Sequence, residues 1–418
     1  MKTPIALAIG LFTASTTLAA SNDEIVPGTS ETTGTTLVPH AIDAIETMSE
    51  DSSLGTIFPS IALRDGMSVK WGGRLMIDTT FITAGSTHPS GDDDGSEFRR
   101  ARLFAQIDVS EHVSAKVQYD FAGQDVDFKD VYIKYKTAAG GFIVGHHYQP
   151  FSLDNLTSSR YITFIERATP VEAFAPGRDT GVSTSNRFGE NTGWALGIFR
   201  PVDDSGDGTG DGDYSVTGRL THAIPQEDGT IHLGVAASVG GSRDDTRVRS
   251  RPEVHQAGRV VDTTAGTSDG NMLLGFEFAW TAGPNTFQAE YIMNSISDFD
   301  TGAGPEDVDF NGYYVSFSRF LTGESRGYNK AGKWNRIKPL ENWEGKGLNG
   351  AWEAALRYSM LDLTDGAFDQ EVAGITAGVN WYLNAYSRIM VNVVRSEAEL
   401  NGVDQDLTAL IARFQVDW

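Results

Sequence analysis

Residues 407–418 read LTALIARFQVDW, with a tryptophan as the last residue. In an extended strand successive side chains point to opposite faces. Leu410, Ala412, Phe414, Val416 and Trp418 then share one face, and Ile411, Arg413, Gln415 and Asp417 share the other. One face is oily and the other mostly charged or polar. A soluble sheet buries such an oily face against a second layer. A membrane barrel turns it to lipid and keeps the polar face around water.

The same alternation recurs from Lys70 onward. In KWGGRLMIDTTF (70–81), Trp71, Leu75, Ile77 and Phe81 oppose Lys70, Arg74 and Asp78. In ARLFAQIDV (101–109), Leu103, Ala105, Ile107 and Val109 oppose Arg102, Phe104, Gln106 and Asp108. LLGFEFAW (273–280) and AWEAALRYSM (351–360) repeat the pattern. About sixteen such segments can be counted. They fall near 70–81, 97–109, 113–121, 128–136, 140–146, 181–187, 192–199, 214–223, 230–239, 272–281, 285–293, 309–321, 350–361, 371–383, 386–397 and 406–418.

The connections carry a second signal. SEH, TAA, PQEDGT, AGP and NA are tight turns, and between them lie the long stretches 82–96, 147–180, 200–213, 240–271 and 294–308. Short turns at one end and long loops at the other are the arrangement of an outer-membrane barrel. Segment 322–349 breaks the rule: either the pairing slips there or the segment folds into the pore. Strands of about ten residues suit a tilted membrane crossing, and lipid tolerates strands only in a closed barrel. Aromatic residues near strand ends (Tyr132, Tyr135, Trp381, Tyr382 and Trp418) fit interfacial girdles. The expectation is an all-β transmembrane antiparallel β-barrel of about sixteen strands, with long external loops and one loop folded into the pore.

Composition narrows the class. The chain has 418 residues, a formal net charge of −23 and no cysteine, which removes disulfides, thiolate metal sites and cysteine nucleophiles. No window offers the ~18 consecutive apolar residues of a membrane helix. Residues 1–20 read as a secretory signal peptide, with Lys2, an apolar run from Ile5 to Leu18, and Ala19–Ala20 for cleavage. Residues 21–69 contain the linker PGTSETTGTTLVP and the short amphipathic HAIDAIETM. They read as a flexible periplasmic arm, which leaves 70–418 for the barrel.

A pore selects through charge and hydrogen-bond donors at its narrowest point. Alternation turns Arg74, Arg100, Arg102 and Lys134 inward, and Arg99 can turn in at the strand end. Guanidinium stays charged and binds oxyanions through two parallel hydrogen bonds. The competing reading makes each a structural arginine paired with a carboxylate such as Asp78 or Asp130. Stretch 147–180 supplies Arg160, Glu166, Arg167 and Arg178, which face the pore or lock the loop. In SRDDTRVRSRPEVHQAGR (242–259), Arg247, Arg249 and Arg251 alternate as an entry ladder for anions. A solvated loop, or one binding lipopolysaccharide phosphates, explains them equally well. Much of the negative charge sits in GDDDG and DDSGDGTGDGD, both in expected external loops. The second is not an EF-hand: the twelfth residue from Asp207 is Gly218, where glutamate is required. No catalytic constellation, metal centre or cofactor motif stands out.

Several stretches resemble the phosphate-selective porin family, the O/P-type outer-membrane porins. They are GGRLMID, EFRRARL, YDFAG, KDVYIKY, TSSRYITFIERATPVEAFAPGRDTGV, FLTGESRGYNKAGKWNRIKP, GAWEAALRYSMLDL, GVNWYLNAYSRIMVNVV and the terminal ARFQVDW, in order across about 70–418. The resemblance implies a sixteen-stranded homotrimeric porin passing phosphate-like anions, with Arg74, Arg99 and Arg100 at its constriction. The last strand, ending in Trp418, resembles the signal read by the barrel-assembly machinery. The other function readings are a less selective porin for organic solutes and a barrel that tethers envelope layers through residues 21–69.

Overall fold

Period-two patterning makes a wall only if every strand edge finds a partner, and here every barrel edge does. The computed structural model describes residues 61–63, 66–123, 125–208 and 213–418. The expected leader, and the arm up to residue 60, lie outside them. The main sheet has seventeen strands, one of which is the two-residue strand Ile61–Ala62 beside the first long strand. The other sixteen are β1 (Ser68–Ala84), β2 (Asp93–Asp108), β3 (Val113–Asp120), β4 (Asp127–Thr137), β5 (Gly140–Tyr148), β6 (Arg178–Phe188), β7 (Thr192–Arg200) and β8 (Ser215–Gln226). There follow β9 (Gly229–Gly240), β10 (Gly270–Ala282), β11 (Asn285–Phe299), β12 (Glu306–Phe320), β13 (Ala351–Asp362), β14 (Gln370–Asn384), β15 (Ser387–Leu400) and β16 (Val403–Asp417). Each pairs antiparallel with the next. β16 then pairs with β1 from Arg74↔Asp417 to Ala84↔Leu407, which closes the barrel. Each alternating segment of the sequence falls on one strand.

The terminal strand has the two faces its sequence implies. Phe414 is 53% exposed on the outside, and Arg413 is 0% exposed on the inside. At the closure Trp418 and Gly73 exchange backbone hydrogen bonds of 3.1 Å. A Cβ on Gly73 would lie 2.6 Å from the Trp418 ring, so the seam needs glycine there. Of the expected girdle residues, Tyr135, Trp381 and Trp418 lie on outward positions. Tyr382 and Tyr132 do not. Tyr382 is buried inside and donates to Glu353 at 2.9 Å, and Tyr132 packs against His147. Each is one residue out of phase with an outward neighbour.

The lumen is largely filled by chain. Segment 149–177 enters from the long-loop end, carrying the short helices α1 (Leu153–Leu156) and α2 (Thr169–Phe174). Segment 241–269 enters beside it. Phe151, Val171, Phe174, Val248 and Val260 of these segments pack on Ile292, Ile296, Phe310 and Leu361 of the wall, as in a soluble core. Glu253 ties the second segment down: it is buried, has φ of 60° and accepts from Arg357 at 2.5 Å and Ser359 at 2.6 Å. Segment 321–350 leaves the short-turn end and also turns into the lumen, so the strand pairing does not slip there. Its hairpin Tyr328–Asn329/Lys333–Trp334 places Trp334 inside, donating to Gln288 at 2.6 Å. Conversely, β15 and β16 meet at the long-loop end through only Asn401 and Gly402. Both have positive φ (51° and 74°), as a tight hairpin turn requires.

Candidate functional site

The site begins with an irregularity in β2. Met76 pairs with Arg100 and Ile77 with Phe98, which leaves Arg99 unmatched as a bulge. Strict alternation would send Arg99 or Arg100 into lipid; the bulge re-aims the chain so that both enter the lumen. Arg99 donates to both oxygens of Glu166 at 2.8 and 2.9 Å. Arg413 reaches the same carboxylate at 2.9 Å and both oxygens of Asp78 at 2.7 Å. Burial favours the neutral form of Glu166, but the Arg99, Arg413 and Arg100 guanidiniums outweigh it and hold its carboxyl well below the usual range.

Most of the other arginines are also engaged. Arg102 donates to Asp120 at 2.6 Å. Asp130 receives Arg178 at 2.7 Å and Lys116 at 2.8 Å, and the Arg178 guanidinium lies 3.8 Å from the centre of the Tyr148 ring. Arg74 donates to Ser159 at 2.8 Å, and Arg160 lies 3.7 Å from Asp417. Lys134 is buried near Lys116, Lys136 and Lys333. Arg100 differs. It is buried and has no hydrogen bond or ion pair among the described residues; the charges acting most strongly on it are Arg99, Arg102, Glu166 and Arg167. Tyr148 lies within electrostatic reach of Arg178, Arg167, Arg102 and Arg100, of which Arg178 stacks on its ring.

Segment 149–177 forms the opposite wall, and backbone hydrogen bonds hold it. Arg388 donates to Ile162 O at 2.8 Å, Arg413 to Ile165 O at 2.7 Å, and Asn380 to Thr163 O at 2.8 Å. Arg167 joins the limbs of the segment by donating to the carbonyls of Asp154, Asn155 and Thr157, each at 3.0 Å. At the long-loop end, Arg99, Arg167, Glu166, Glu172, Arg251 and His255 line a cavity of about 240 Å³. Arg251 pairs with Glu172 at 3.3 Å, whose carboxyl is pushed up by burial despite its Arg251 contacts. Arg247 and Arg249 share the exposed face of their segment, and Arg247 pairs with Asp262. On the other side of Tyr148 lies an open cavity. Its charged lining is Lys116, Arg187, Arg219, Lys330, Lys333 and a single acid, Asp130. Lys116 and Arg219 lie on inward positions of β3 and β8. Lys330 and Lys333 belong to the connection whose unusual length left pore entry open, and its lack of alternation could not say which of its side chains would face the lumen.

An antiparallel barrel with an oily exterior, an interior carrying many arginines and open cavities within it has the form of a membrane channel. The family model described as phosphate-selective porin O and P matches residues 69–418.

The chain belongs to the phosphate-selective porin O and P family.

Porin O of Pseudomonas aeruginosa is 25% identical over 97% of this chain and 98% of its own length. An uncharacterized protein of Caulobacter vibrioides is 32% identical over 71% of this chain, and the match spans 62% of that protein. Two solved structures share the fold at 13% identity. The outer-membrane channel DcaP of Acinetobacter baumannii has a TM-score of 0.55, covering 85% of this chain and 99% of that one. An anion-selective porin from Comamonas acidovorans has a TM-score of 0.52, covering 84% and 99%. This protein is an outer-membrane porin, a channel rather than an enzyme. The short-turn end of the barrel is its periplasmic end.

Proposed function

We propose that this porin passes small oxyanions, phosphate or polyphosphate, down their gradient, and that Arg100 is the group they meet at the waist. One observation carries the reading: Arg100 is a buried guanidinium without a carboxylate, set among arginines most of which have one. An oxyanion arriving there supplies the two acceptors that Arg100 lacks. Because the surrounding arginines are largely neutralised, the ion is held weakly enough to leave, as conduction requires. Arg74, Arg99, Arg102, Lys134, Arg160 and Arg178 set the local potential. Arg247, Arg249 and Arg251 raise the anion concentration at the mouth. The basic periplasmic cavity receives the ion beyond the waist. The overall charge of −23 does not oppose this, since surface charges more than about 8–10 Å away are screened at physiological salt.

In the same reading residues 1–20 direct export and the barrel assembles as a homotrimer; the periplasmic arm, expected over 21–69, stops short of Ile61, since Ile61–Ala62 and Ser68–Val69 belong to the barrel sheet. The last strand engages the barrel-assembly machinery, and the outer rim meets lipopolysaccharide. Reversal potentials across planar bilayers in a salt gradient test the selectivity; cation preference would sink it. Arg100→Ala is expected to raise the phosphate concentration that half-blocks chloride current by roughly tenfold, the worth of one hydrogen bond to a charged group. Unchanged block removes Arg100 from the site. The pairing of most lumen arginines with acids also favours a second reading, a less selective porin for organic solutes. Liposome swelling with neutral sugars at rates matching those of anions would support that one instead.

A further inference from the structure

The periplasmic connection 321–350 does more than enter the lumen. After Ile337 it leaves the interior and runs back along the outside of the rim. Trp352 of β13 and Trp381 of β14 are paired in register on the outer face, their rings stacked at 5.1 Å and 14°. Trp343 of the connection stands edge-on to Trp381 at 5.6 Å. The backbone of the connection takes up all three indole N–H groups: Trp343 donates to Gly347 O at 3.2 Å, Trp352 to Leu348 O at 2.9 Å and Trp381 to Asn349 O at 3.0 Å. Trp343 N–H in turn donates to Leu383 O at 2.7 Å, fixing the segment to β14. Buried or interfacial indoles ordinarily offer their N–H to water or a polar partner. This plate offers none. Around it Leu321, Leu340, Trp343 and Leu348 are 65%, 72%, 37% and 70% exposed.

We infer that this rim is a lipid-anchoring foot, taking phospholipid of the periplasmic leaflet at the junction of headgroups and acyl chains. Three observations select lipid as the occupant. The plate continues the outward columns Leu356–Ala354–Trp352 and Ile375–Ala377–Val379–Trp381, so it extends the lipid-facing surface beyond the strand ends. Its indole donors are spent internally, which suits an apolar medium and not the hydroxyl-rich surface of the cell wall. Lys338 and Lys346 are exposed beside it, placed to reach lipid phosphates from a partly inserted backbone.

The absence of cysteine makes the test direct, since a single introduced thiol reports one position. Leu348→Cys and Leu340→Cys, with Glu111→Cys on the β2–β3 turn as a control, are labelled with an environment-sensitive fluorophore. The full-length protein is then folded into phosphatidylethanolamine–phosphatidylglycerol liposomes. Expected is several-fold stronger quenching at 348 and 340 than at 111 by phospholipid spin-labelled near its headgroup end, with iodide giving the reverse order. Iodide quenching at 348 equal to that at 111 overturns the anchor. So does shielding from both quenchers together with 348–348 disulfide cross-links, which assigns the face to a second copy of the chain. Single-channel conductance of the same variants separates this from the pore reading, because the foot lies outside the lumen and its labels leave the current unchanged.

Discussion

Glu166 decides how many guanidiniums of the lumen are left without a carboxylate. It holds Arg99 through two hydrogen bonds and touches Arg413, which keeps Asp78. Glu166→Gln is expected to release Arg99 beside Arg100 and move the reversal potential further toward the anion limit in planar bilayers. The variant loses about 3–5 kcal/mol from breaking a buried pair, readable as a lower unfolding midpoint in detergent. The pH dependence follows from the same contacts. A carboxyl whose folded pKa is depressed contributes stability above its unfolded pKa, about 4.3 for glutamate, and loses it only as pH falls through the depressed value. The Glu166 clamp therefore persists at pH values where ordinary glutamates are protonated. The Glu172 carboxyl is displaced the other way by desolvation, so it takes its proton before Glu166 as pH falls and leaves Arg251 without its partner. Anion selectivity is expected to rise as pH is lowered, and Glu172→Gln removes that rise. If the variant keeps the same pH profile, the vestibule pair is not responsible. At this scale the sequence named Arg99 and Arg100 together. It did not say that one would be clamped and the other left open, because Glu166 is 67 residues from Arg99 along the chain.

Among the elements, the strands were legible and the folded-in segments only partly so. Alternation is a local pattern enforced by the two solvents on either side of the wall. For the long stretch 147–180 the sequence offered charged residues that face the pore or lock a loop, and the structure folds 149–177 of it into the lumen. The destination of 321–350 stayed open, because its inward anchors are contacts to distant strands: Trp334 to Gln288, Arg326 to Glu353 and Arg336 to Asp417. Trp334→Ala removes a buried indole and its hydrogen bond, a loss of about 3–5 kcal/mol. The hairpin is then expected to leave the lumen intermittently. Limited trypsin digestion of the folded protein should cut at Lys330 and Lys333 in the variant and spare them in the parent. Equal cleavage in both would show that Trp334 does not hold the hairpin.

Across the whole molecule the wall is lopsided. β3, β5 and β7 have 8, 9 and 9 residues, whereas β11, β12, β14 and β16 have 15 each. At about 3.3 Å per residue and a tilt near 45°, the 8 residues of β3 cover only ~19 Å, short of the ~25 Å apolar band of an outer-membrane barrel. That arc is therefore suited to protein neighbours, and the long arc to lipid. Ile133 and Val182 are exposed on the short arc, and Val393 on the long one. Ile133→Arg or Val182→Arg is expected to break the proposed homotrimer into single barrels by light scattering in detergent, while Val393→Arg leaves it intact. Dissociation by Val393→Arg alone would place the subunit contact on the other side.

The sequence by itself determined the wall: the strands, their two faces and the end at which loops are long. These depend on residues one or two apart meeting lipid or water, and such a rule acts before any distant contact forms. Only the tertiary structure decided the inside. The bulge that brings Arg99 and Arg100 into the lumen together is a register choice against β1. Which arginines are neutralised depends on carboxylates brought close by other strands, such as Asp120, Asp130 and Asp78, or carried in by a loop, as Glu166 is, and charge pairing has no period along a chain. The arginine cluster of the lumen is therefore a property of how the strands and three segments pack inside the barrel, set by long-range packing and electrostatics.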